Sequence, residues 1–293
     1  MANLKEIKNR ITSISSTMQI TSAMKMVSAA KLRRAQDAIT RMRPYAEKLK
    51  EILGNVSGTL DLSENAYAEV REGNKTLVIG ISSNRGLCGG FNNNITKRIN
   101  HLLINDFEGA NVQVLTIGKK VNDAFKLRDI NIRPEELGNA EDLFNDLTFE
   151  RVAEHAEFAM NAFIAGTYDR VVIVYNKFIN AAIQEVVTEQ LLPLQNTVNT
   201  SENTSSDVEY VFEPSKQEIV SDLIPKMLKL QLYKAILDSY ASEHGARMTA
   251  MHKATDNASD LKRSLTLEYN KARQAAITNE ILEIVGGAEA LNN

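Results

Sequence analysis

Hydrophobic residues recur every three or four positions at both ends of the chain. The first stripe comprises Leu4, Ile7, Ile11, Ile14, Met18, Thr21, Lys25, Ser28, Leu32, Ala35, Ile39, Met42, Ala46, Leu49 and Leu53. The second comprises Leu230, Tyr233, Leu237, Tyr240, His244, Arg247, Met251, Ala254, Ala258, Leu261, Leu265, Glu268, Ala272 and Ala275. A 3.5-residue period sustained this long predicts helices that wind on a partner helix. We expect the two helices to pair with each other, antiparallel, because the middle of the chain can return the polypeptide.

Polar residues interrupt both stripes. Thr21, Lys25 and Ser28 break the first, while His244 and Arg247 break the second. A polar break in a helical seam costs stability. The small or pliable residues around the first break permit close approach of another surface. We therefore expect this stretch to contact a surrounding partner.

The centre of the chain changes to a shorter period. β-rich runs cover residues 76–82, 112–117 and 170–175, and helical patterns cover 94–104 and 149–164. This alternation predicts a mainly parallel sheet, and a further run at 183–190 predicts an added hairpin strand. The expected fold class is α/β plus coiled coil, with a Rossmann-like central domain.

Three parts follow from these patterns. We expect a shaft helix over 1–58, an α/β foot over 74–208, and a second shaft helix over 209–293 that pairs with the first. The region 196–206 is rich in Asn, Thr and Ser and predicts a loop. At 1.5 Å per residue, the two helices would be about 80 and 110 Å long.

The distribution of charge along the chain indicates what kinds of partner it could bind. The net charge of −3 conceals a basic first helix, since residues 1–53 hold 11 basic and 4 acidic side chains, whereas 54–214 hold 13 and 23. A cationic helix can face an acidic protein surface or nucleic acid, or simply water.

The apolar runs are far shorter than the roughly 20 residues that span a bilayer. With neither a signal core nor a transit-peptide composition near Met1, we expect a bacterial-type cytoplasmic location.

The most tempting candidate for chemistry is the glycine-rich turn after the first strand, formed by Arg85, Gly86, Cys88, Gly89 and Gly90. Such a turn can hold phosphate through backbone N–H groups. The Gly-Lys-Ser/Thr ending of a P-loop and the Gly-x-Gly-x-x-Gly pattern are both missing, so a structural turn is the preferred interpretation.

Other candidate groups give no active site. Cys88 at a helix start could have a lowered pKa, but no pattern supplies a base for it. The four histidines are scattered without a second ligand at metal spacing. We therefore predict no catalytic residue, no cofactor and no metal.

Five segments together resemble the gamma subunit of the F-type ATP synthase. They are residues 20–36 (ITSAMKMVSAAKLRRAQ), 84–92 (NRGLCGGFN), 246–251 (ARMTAM), 254–257 (ATDN) and 277–288 (ITNEILEIVGGA). The resemblance covers the whole chain. Asn84 departs from it, since the family usually has aspartate there, and the regulatory cysteine insertion of the chloroplast form is lacking, which agrees with a bacterial type.

The resemblance implies a rotor. In the family the terminal helices form a central shaft inside a ring of three alpha and three beta subunits, and the α/β foot lies beside the epsilon subunit and the membrane c-ring. Proton-driven rotation of the c-ring is thereby coupled to ATP synthesis, or hydrolysis drives the reverse. One non-catalytic copy per complex, bound peripherally at the cytoplasmic face of the cell membrane and without nucleic acid, is implied.

The resemblance also implies particular contacts. Contacts to the beta subunits are implied for Met24, Lys25, Arg33, Arg34, Gln274, Thr278 and Glu280. Foot contacts to epsilon and the c-ring are implied for Tyr210 and Glu213.

Two other classes stay open from the residues alone. One is an α/β nucleotide-binding enzyme that uses residues 86–90 and carries its helices as oligomerisation arms. The other is a nucleic-acid-associated protein with the basic residues 31–43 on phosphates, which would bind DNA with a steep salt dependence. The overall negative charge and the lack of a Walker motif count against both.

Overall fold

The computed structural model describes residues 4–57, 65–71, 73–139, 141–194 and 216–292. Its helices are α1 (Leu4–Ser57), α2 (Phe91–His101), α3 (Lys119–Phe125), α4 (Phe149–Ile164) and α5 (Lys216–Asn292). Its strands are β1 (Lys75–Ile81), β2 (Asn111–Ile117), β3 (Asn131–Ile132), β4 (Arg170–Phe178) and β5 (Gln184–Leu192). A π-helical turn at Leu102–Asp106 extends α2, and short 3₁₀ turns lie at Glu135–Leu137 and Asp142–Phe144.

The chain divides into two compact units. The first joins Met1–Ala29 to Arg247–Asn293, and the second is Ala30–Ala246. Each long helix therefore contributes one part to each unit.

In the first unit, α1 and α5 are joined by side-chain hydrogen bonds. The hydroxyls of Thr21 and Thr255 lie 2.8 Å apart, and Lys262 Nζ donates to Ser15 Oγ at 3.2 Å. Moving forward along α1 from Ser15 to Thr21 thus moves backward along α5 from Lys262 to Thr255. The two helices run antiparallel, as the sequence predicts.

The burial of α1 follows the predicted stripe. Every position of that stripe from Leu4 to Leu49 is buried or half-buried, including the polar Thr21 and Ser28. Ser28 Oγ donates to the carbonyl of Met24, so the buried hydroxyl is satisfied within its own helix. The polar break is therefore accommodated without an unpaired hydroxyl at Ser28.

Beyond Ala258, three positions of the predicted α5 stripe move by one residue, whereas Leu265 and Ala272 stay in it. Leu261, Glu268 and Ala275 were expected in the seam, but they are exposed. The half-buried or buried positions are Lys262, Leu265, Tyr269, Ala272 and Ala276. The seam steps four residues from Ala258 to Lys262, where the long aliphatic stem of lysine covers apolar surface and its ammonium reaches Ser15.

The end of α5 exposes a run of large apolar residues. Ile277, Ile281, Leu282, Ile284 and Val285 are between 47% and 72% exposed. In the register set by the Thr21–Thr255 pair, these residues lie beyond the level of Leu4. Within the described residues, α1 does not reach far enough to cover them.

The second unit contains a five-stranded sheet in the order β3-β2-β1-β4-β5. β1 pairs in parallel with both β2 and β4, β2 pairs in parallel with β3, and β5 is antiparallel to β4. The predicted strands and the hairpin are confirmed. α3 and the two-residue β3 were not predicted from the sequence.

Helices cover both faces of this sheet. One face packs with α4 and with the stretch of α5 from Ile224 to Ile236, and Leu49 of α1 joins the same cluster. The other face packs against α2 and α3, through Ile95, Ile99 and Val121 among others. Near-continuous apolar strands such as β1 are typical of a sheet that is covered on both sides.

The stretch of α5 within the second unit is buried on almost every side. Residues 235–239 and 241–245 are all buried. Tyr233 meets Phe149 of α4 edge-on at 5.6 Å, and Ser242 Oγ donates to the carbonyl of Asn176 at 3.0 Å. The sequence analysis assigned this stretch to the helical seam, whereas the structure shows it packed in the α/β core as well.

A buried carboxyl group lies on this part of α5. Burial raises the pKa of Asp238 to about 6, with the carboxylate of Glu189 adding to the rise and the cations of Lys234, Lys177 and Arg43 opposing it. The phenol of Tyr175 donates to Glu189 at 2.7 Å. Because the folded pKa lies above the unfolded value, this group favours folding at low pH and opposes it progressively as pH rises through 4 to 6.

We expect the Thr21–Thr255 contact to be energetically coupled. Thr255→Val removes one hydroxyl of the pair and should lower the free energy of unfolding by about 1 kcal/mol. Adding Thr21→Val should cost less than it does alone, because the first change has already broken the bond. Urea unfolding of the full chain, followed by circular dichroism, measures the cycle.

Thr266→Val is the control, since Thr266 is exposed and its hydroxyl bonds only to the carbonyl of Lys262 on its own helix. It should change stability by less than about 0.5 kcal/mol. Strictly additive costs of Thr21→Val and Thr255→Val would contradict the coupling.

Candidate interaction surface

Two predicted contact residues lie at the polar break of α1 in the first unit: Lys25 belongs to it and Met24 is next to it. Met24 and Lys25 are half-buried, between the buried residues Thr21 and Ser28. Part of each side chain therefore packs at the helix pair, and part is open to a partner. Arg33 and Arg34 belong to the second unit and are exposed.

The other three predicted contacts lie near the end of α5. Gln274, Thr278 and Glu280 are all exposed. Thr278 Oγ1 donates to the carbonyl of Gln274 at 2.9 Å, so its hydroxyl is bound along its own helix. The structure brings Gln274 and Thr278 together one turn apart. Both flank the exposed apolar run that starts at Ile277.

Exposed apolar side chains in the first unit add to the residues for which contacts are implied by the resemblance. On α1, Ile20, Met26 and Val27 are 57% to 65% exposed, in addition to the apolar run on α5. Contiguous exposed apolar groups mark protein interaction surfaces. The signal was present in the sequence, because these residues fall between the seam positions of a helix whose other side is already occupied.

Tyr210 and Glu213 lie outside the described residues, as does the predicted loop at 196–206.

The glycine-rich turn follows β1 and is closed by its own side chains. The Asn92 carboxamide oxygen accepts from the backbone N–H of Ser83 and lies 3.0 Å from the Ser83 hydroxyl. Leu87 and Gly89 both have positive φ, of 62° and 60°. Glycine adopts this conformation freely, whereas leucine is strained in it.

Cys88 belongs to this closed turn. Its thiol is buried, at 1% exposure, and its sulfur accepts from Asn92 Nδ2 at 3.1 Å. A buried cysteine of this kind behaves as a small structural side chain rather than a nucleophile.

Asn84 links the turn to two neighbouring segments by hydrogen bonds. Its carboxamide oxygen accepts from the N–H of Lys119 at 3.1 Å, and its NH₂ donates to the carbonyl of Glu141. Aspartate could accept the first bond but could not donate the second when ionised. An amide therefore suits this position better than a carboxylate.

Gly118 permits the close approach of the two strand ends at this edge. A Cβ on Gly118 would lie 2.2 Å from the carbonyl oxygen of Ser82, and its φ of +95° is one that other residues rarely adopt. The turn after β2 thus packs directly on the backbone at the end of β1.

The described residues include no group of three or more His, Cys, Asp or Glu side chains placed to hold a metal ion. None of the helices in the described ranges has an apolar stretch that would cross a membrane.

The architecture is that of an antiparallel two-helix coiled coil continuous in sequence with a doubly wound α/β domain. A family profile described as ATP synthase matches residues 3–291. The ATP synthase gamma chain of Flavobacterium johnsoniae is 60% identical over 294 residues, and that of Christiangramia forsetii is 57% identical over 293, each aligned over 100% of both chains. The chain belongs to the ATP synthase gamma-chain family.

Solved structures agree on the fold. A chain from the Euglena gracilis mitochondrial ATP synthase, in a structure of OSCP, F1 and c-ring in rotational state 3, has a TM-score of 0.65 at 21% identity, over 98% of this chain and 94% of that one. A rotor chain of the same enzyme in rotational state 1 has a TM-score of 0.63 at 21% identity, over 94% and 98%.

We expect Asn84→Asp to destabilise the turn. An ionised carboxylate would face the carbonyl of Glu141, with the loss of one hydrogen bond, at a cost of about 1–3 kcal/mol in the free energy of unfolding. Because the same carbonyl would raise the pKa of the new carboxyl, the cost should shrink as pH falls towards 4. Urea unfolding at pH 7.5 and pH 4.5 measures both effects.

Asn270→Asp, at an exposed position on α5, is the matched control and should change stability little at either pH. Equal stability of Asn84→Asp and the unmodified chain at pH 7.5 would contradict the assigned donor role of the Asn84 amide.

Proposed function

We propose that this chain is the central rotor shaft of the F1 sector of a bacterial ATP synthase. It couples proton-driven rotation of the membrane c-ring to ATP synthesis on the alpha/beta ring, or ATP hydrolysis to reverse rotation. The observation that carries the proposal is full-length identity of 57–60% to bacterial gamma chains. Residues 1–58 and 209–293 supply the shaft, and residues 74–208 supply the foot.

The surface of the paired helices supports this role. The α1–α5 seam uses the inner stripe of each helix and leaves exposed apolar residues such as Met26 and Val27 on the outside. Exposed apolar side chains can slide past successive partners, because an apolar contact has no strong directional preference. A shaft that must turn needs this property.

The chain itself takes no part in the chemistry in this proposal. It acts by presenting different sides to alpha and beta subunits, three of each, so that similar catalytic sites occupy different states. That is coupling by differential contact. One copy per complex follows, because a single asymmetric shaft supplies one distinct surface to each site.

The proposed contacts to the beta subunits are those implied by the resemblance. Met24 and Lys25, with the cations Arg33 and Arg34, face acidic loops of beta, and Gln274, Thr278 and Glu280 make polar contacts near the end of α5. Their exposure or half-exposure supports this assignment. Tyr210 and Glu213 serve the foot, towards epsilon and the c-ring. The turn from Arg85 to Gly90 has a structural role.

Membrane association in this proposal is peripheral and indirect. The chain is held at the cytoplasmic face of the cell membrane through the c-ring rather than by a span of its own.

The experiment that tests the function is purification of the tagged full chain under mild detergent from its own membranes. We expect alpha, beta, epsilon and c subunits to co-elute, with ATPase activity that drives proton pumping in the parent vesicles. Elution without alpha and beta, or pumping unaffected by deletion of the gene, would contradict the rotor role.

We further expect Gln274→Ala and Glu280→Ala to lower ATPase turnover or the yield of assembled complex at least two-fold. Both residues are exposed, so the folded chain should be unchanged and the loss should arise at the partner surface. Turnover per assembled complex and circular dichroism of the full chain separate these effects.

Glu268→Ala is the matched control, because Glu268 is an exposed carboxylate on the same helix that is not among the proposed contacts. Normal assembly and turnover in both test variants would remove Gln274 and Glu280 from the contact set.

A further inference from the structure

One face of α5 lies along the β4–β5 hairpin. Gln231 Nε2 donates to the carbonyl of Gln190 on β5 at 3.3 Å, and Ser242 Oγ donates to the carbonyl of Asn176 on β4 at 3.0 Å. Asp238 lies between these two contacts, two helical turns after Gln231 and one turn before Ser242, and so on the same face of the helix. Its side chain is buried, at 7% exposure.

The helix comes closest to the hairpin at Gly245, two turns beyond Asp238 on this face. A Cβ on Gly245 would lie 3.2 Å from the Cα of Ala181 and 3.3 Å from its carbonyl oxygen, in the turn between β4 and β5. Glycine thus lets the two backbones pack directly on each other. With contacts on either side of it, the carboxyl group of Asp238 can become fully hydrated only if α5 separates locally from the hairpin.

A second carboxyl group, that of Glu189 on β5, lies on the sheet face that α5 covers. Glu189 is opposite Ile173 in the β4–β5 register, and Ile173 and Tyr175 both belong to the core cluster beneath α5. The phenol of Tyr175 donates to Glu189 Oε1 at 2.7 Å. Burial raises the pKa of Tyr175, so the phenol keeps its proton and holds the carboxylate of Glu189 in this position.

The charges that act on Asp238 come from all the elements around it. Besides Glu189 of β5, they are the cations Lys234 of α5, Lys177 of β4 and Arg43 of α1. All three cations are exposed, so water and salt weaken their attraction, and Lys177 also has Glu185 opposite it in the hairpin. Burial is the largest effect on the pKa of Asp238 and Glu189 adds to it, so the packed state disfavours the ionised form.

We propose that Asp238 and Glu189 form a proton-operated clasp between α5 and the β4–β5 hairpin. While Asp238 holds a proton, the pair carries a single negative charge and the helix stays packed on the sheet. When that proton passes to solvent, a second negative charge is confined beside Glu189. Local separation of α5 from the hairpin then becomes easier, because it brings both carboxylates into water. The clasp is a property of the chain alone and does not rest on the rotor function.

Hydrogen exchange of the purified full chain at pH 4.5 and pH 7.5, followed by mass spectrometry, measures the clasp. Labelling times are corrected for the intrinsic exchange rate at each pH. We expect the protection of amides in residues 235–245 to be at least ten-fold lower at pH 7.5, because ionisation of Asp238 favours opening. Amides of α2, which packs on the other face of the sheet, should keep their protection.

Asp238→Asn keeps the size of the side chain but cannot ionise, so residues 235–245 should be protected equally at both pH values. Glu189→Gln removes the neighbouring charge and keeps an acceptor for Tyr175, so it should reduce the pH effect at least two-fold. Glu189 is only half-buried, so this variant keeps the test valid if Asp238→Asn does not fold. Asp260→Asn and Glu268→Gln, at exposed positions on α5, are the controls and should retain the full effect.

Three results would overturn the proposal: equal protection of residues 235–245 at both pH values in the unmodified chain, an equal loss of protection in α2, or an undiminished pH effect in Asp238→Asn and Glu189→Gln. Because the readout is exchange in the isolated chain, it is independent of whether the complex assembles or pumps protons.

Discussion

Most of the stability of the 77-residue helix α5 comes from packing that covers its apolar residues, and this constraint organises the whole chain. Along α5 the cover changes. Between Arg247 and Ala276 it is a single partner helix, and only one stripe is buried. Between Ile224 and Gly245 it comes from the sheet and α4, and nearly every side is buried. The composition of α5 follows this change in its surroundings.

The polar positions in the seam have a consistent physical role. Leucine at Thr21, Ser28 and Thr255 would bury more area, but the hydroxyls found there bond across the pair or back to a helix carbonyl. Such bonds specify register, because a shift along the seam would separate the two threonines. Small residues and hydroxyls also keep the pair slender, which suits a shaft enclosed by other subunits in the proposed function.

In the α/β unit, side-chain hydrogen bonds and close backbone packing both connect segments at one edge of the sheet. Asn84 bridges the turn after β1 to the segments that follow β2 and β3, and Gly118 lets the strand ends approach closely. A cavity lined by His155 and Arg133 lies at that same edge.

Local pattern was sufficient for several elements. A period of 3.5 sets α1 and α5, β-rich runs set β1, β2, β4 and β5, and the helical pattern of residues 149–164 coincides with α4, because each of these segments buries a stripe or a face that its own residues specify. The family and the non-seam apolar surface could also be inferred from the residues. α3 and β3 could not, since seven and two residues carry too little periodicity.

The sequence by itself determined which segments are helices or strands and which apolar stripe of each must be buried. Only the tertiary structure decided what covers it: the four-residue step from Ala258 to Lys262 in the helix pair, and the sheet that packs against Ile224–Ile236. The physical reason is that the hydrophobic period of a segment shows which of its side chains must be buried. The segment that packs against those side chains is distant in sequence, so only the folded structure identifies it.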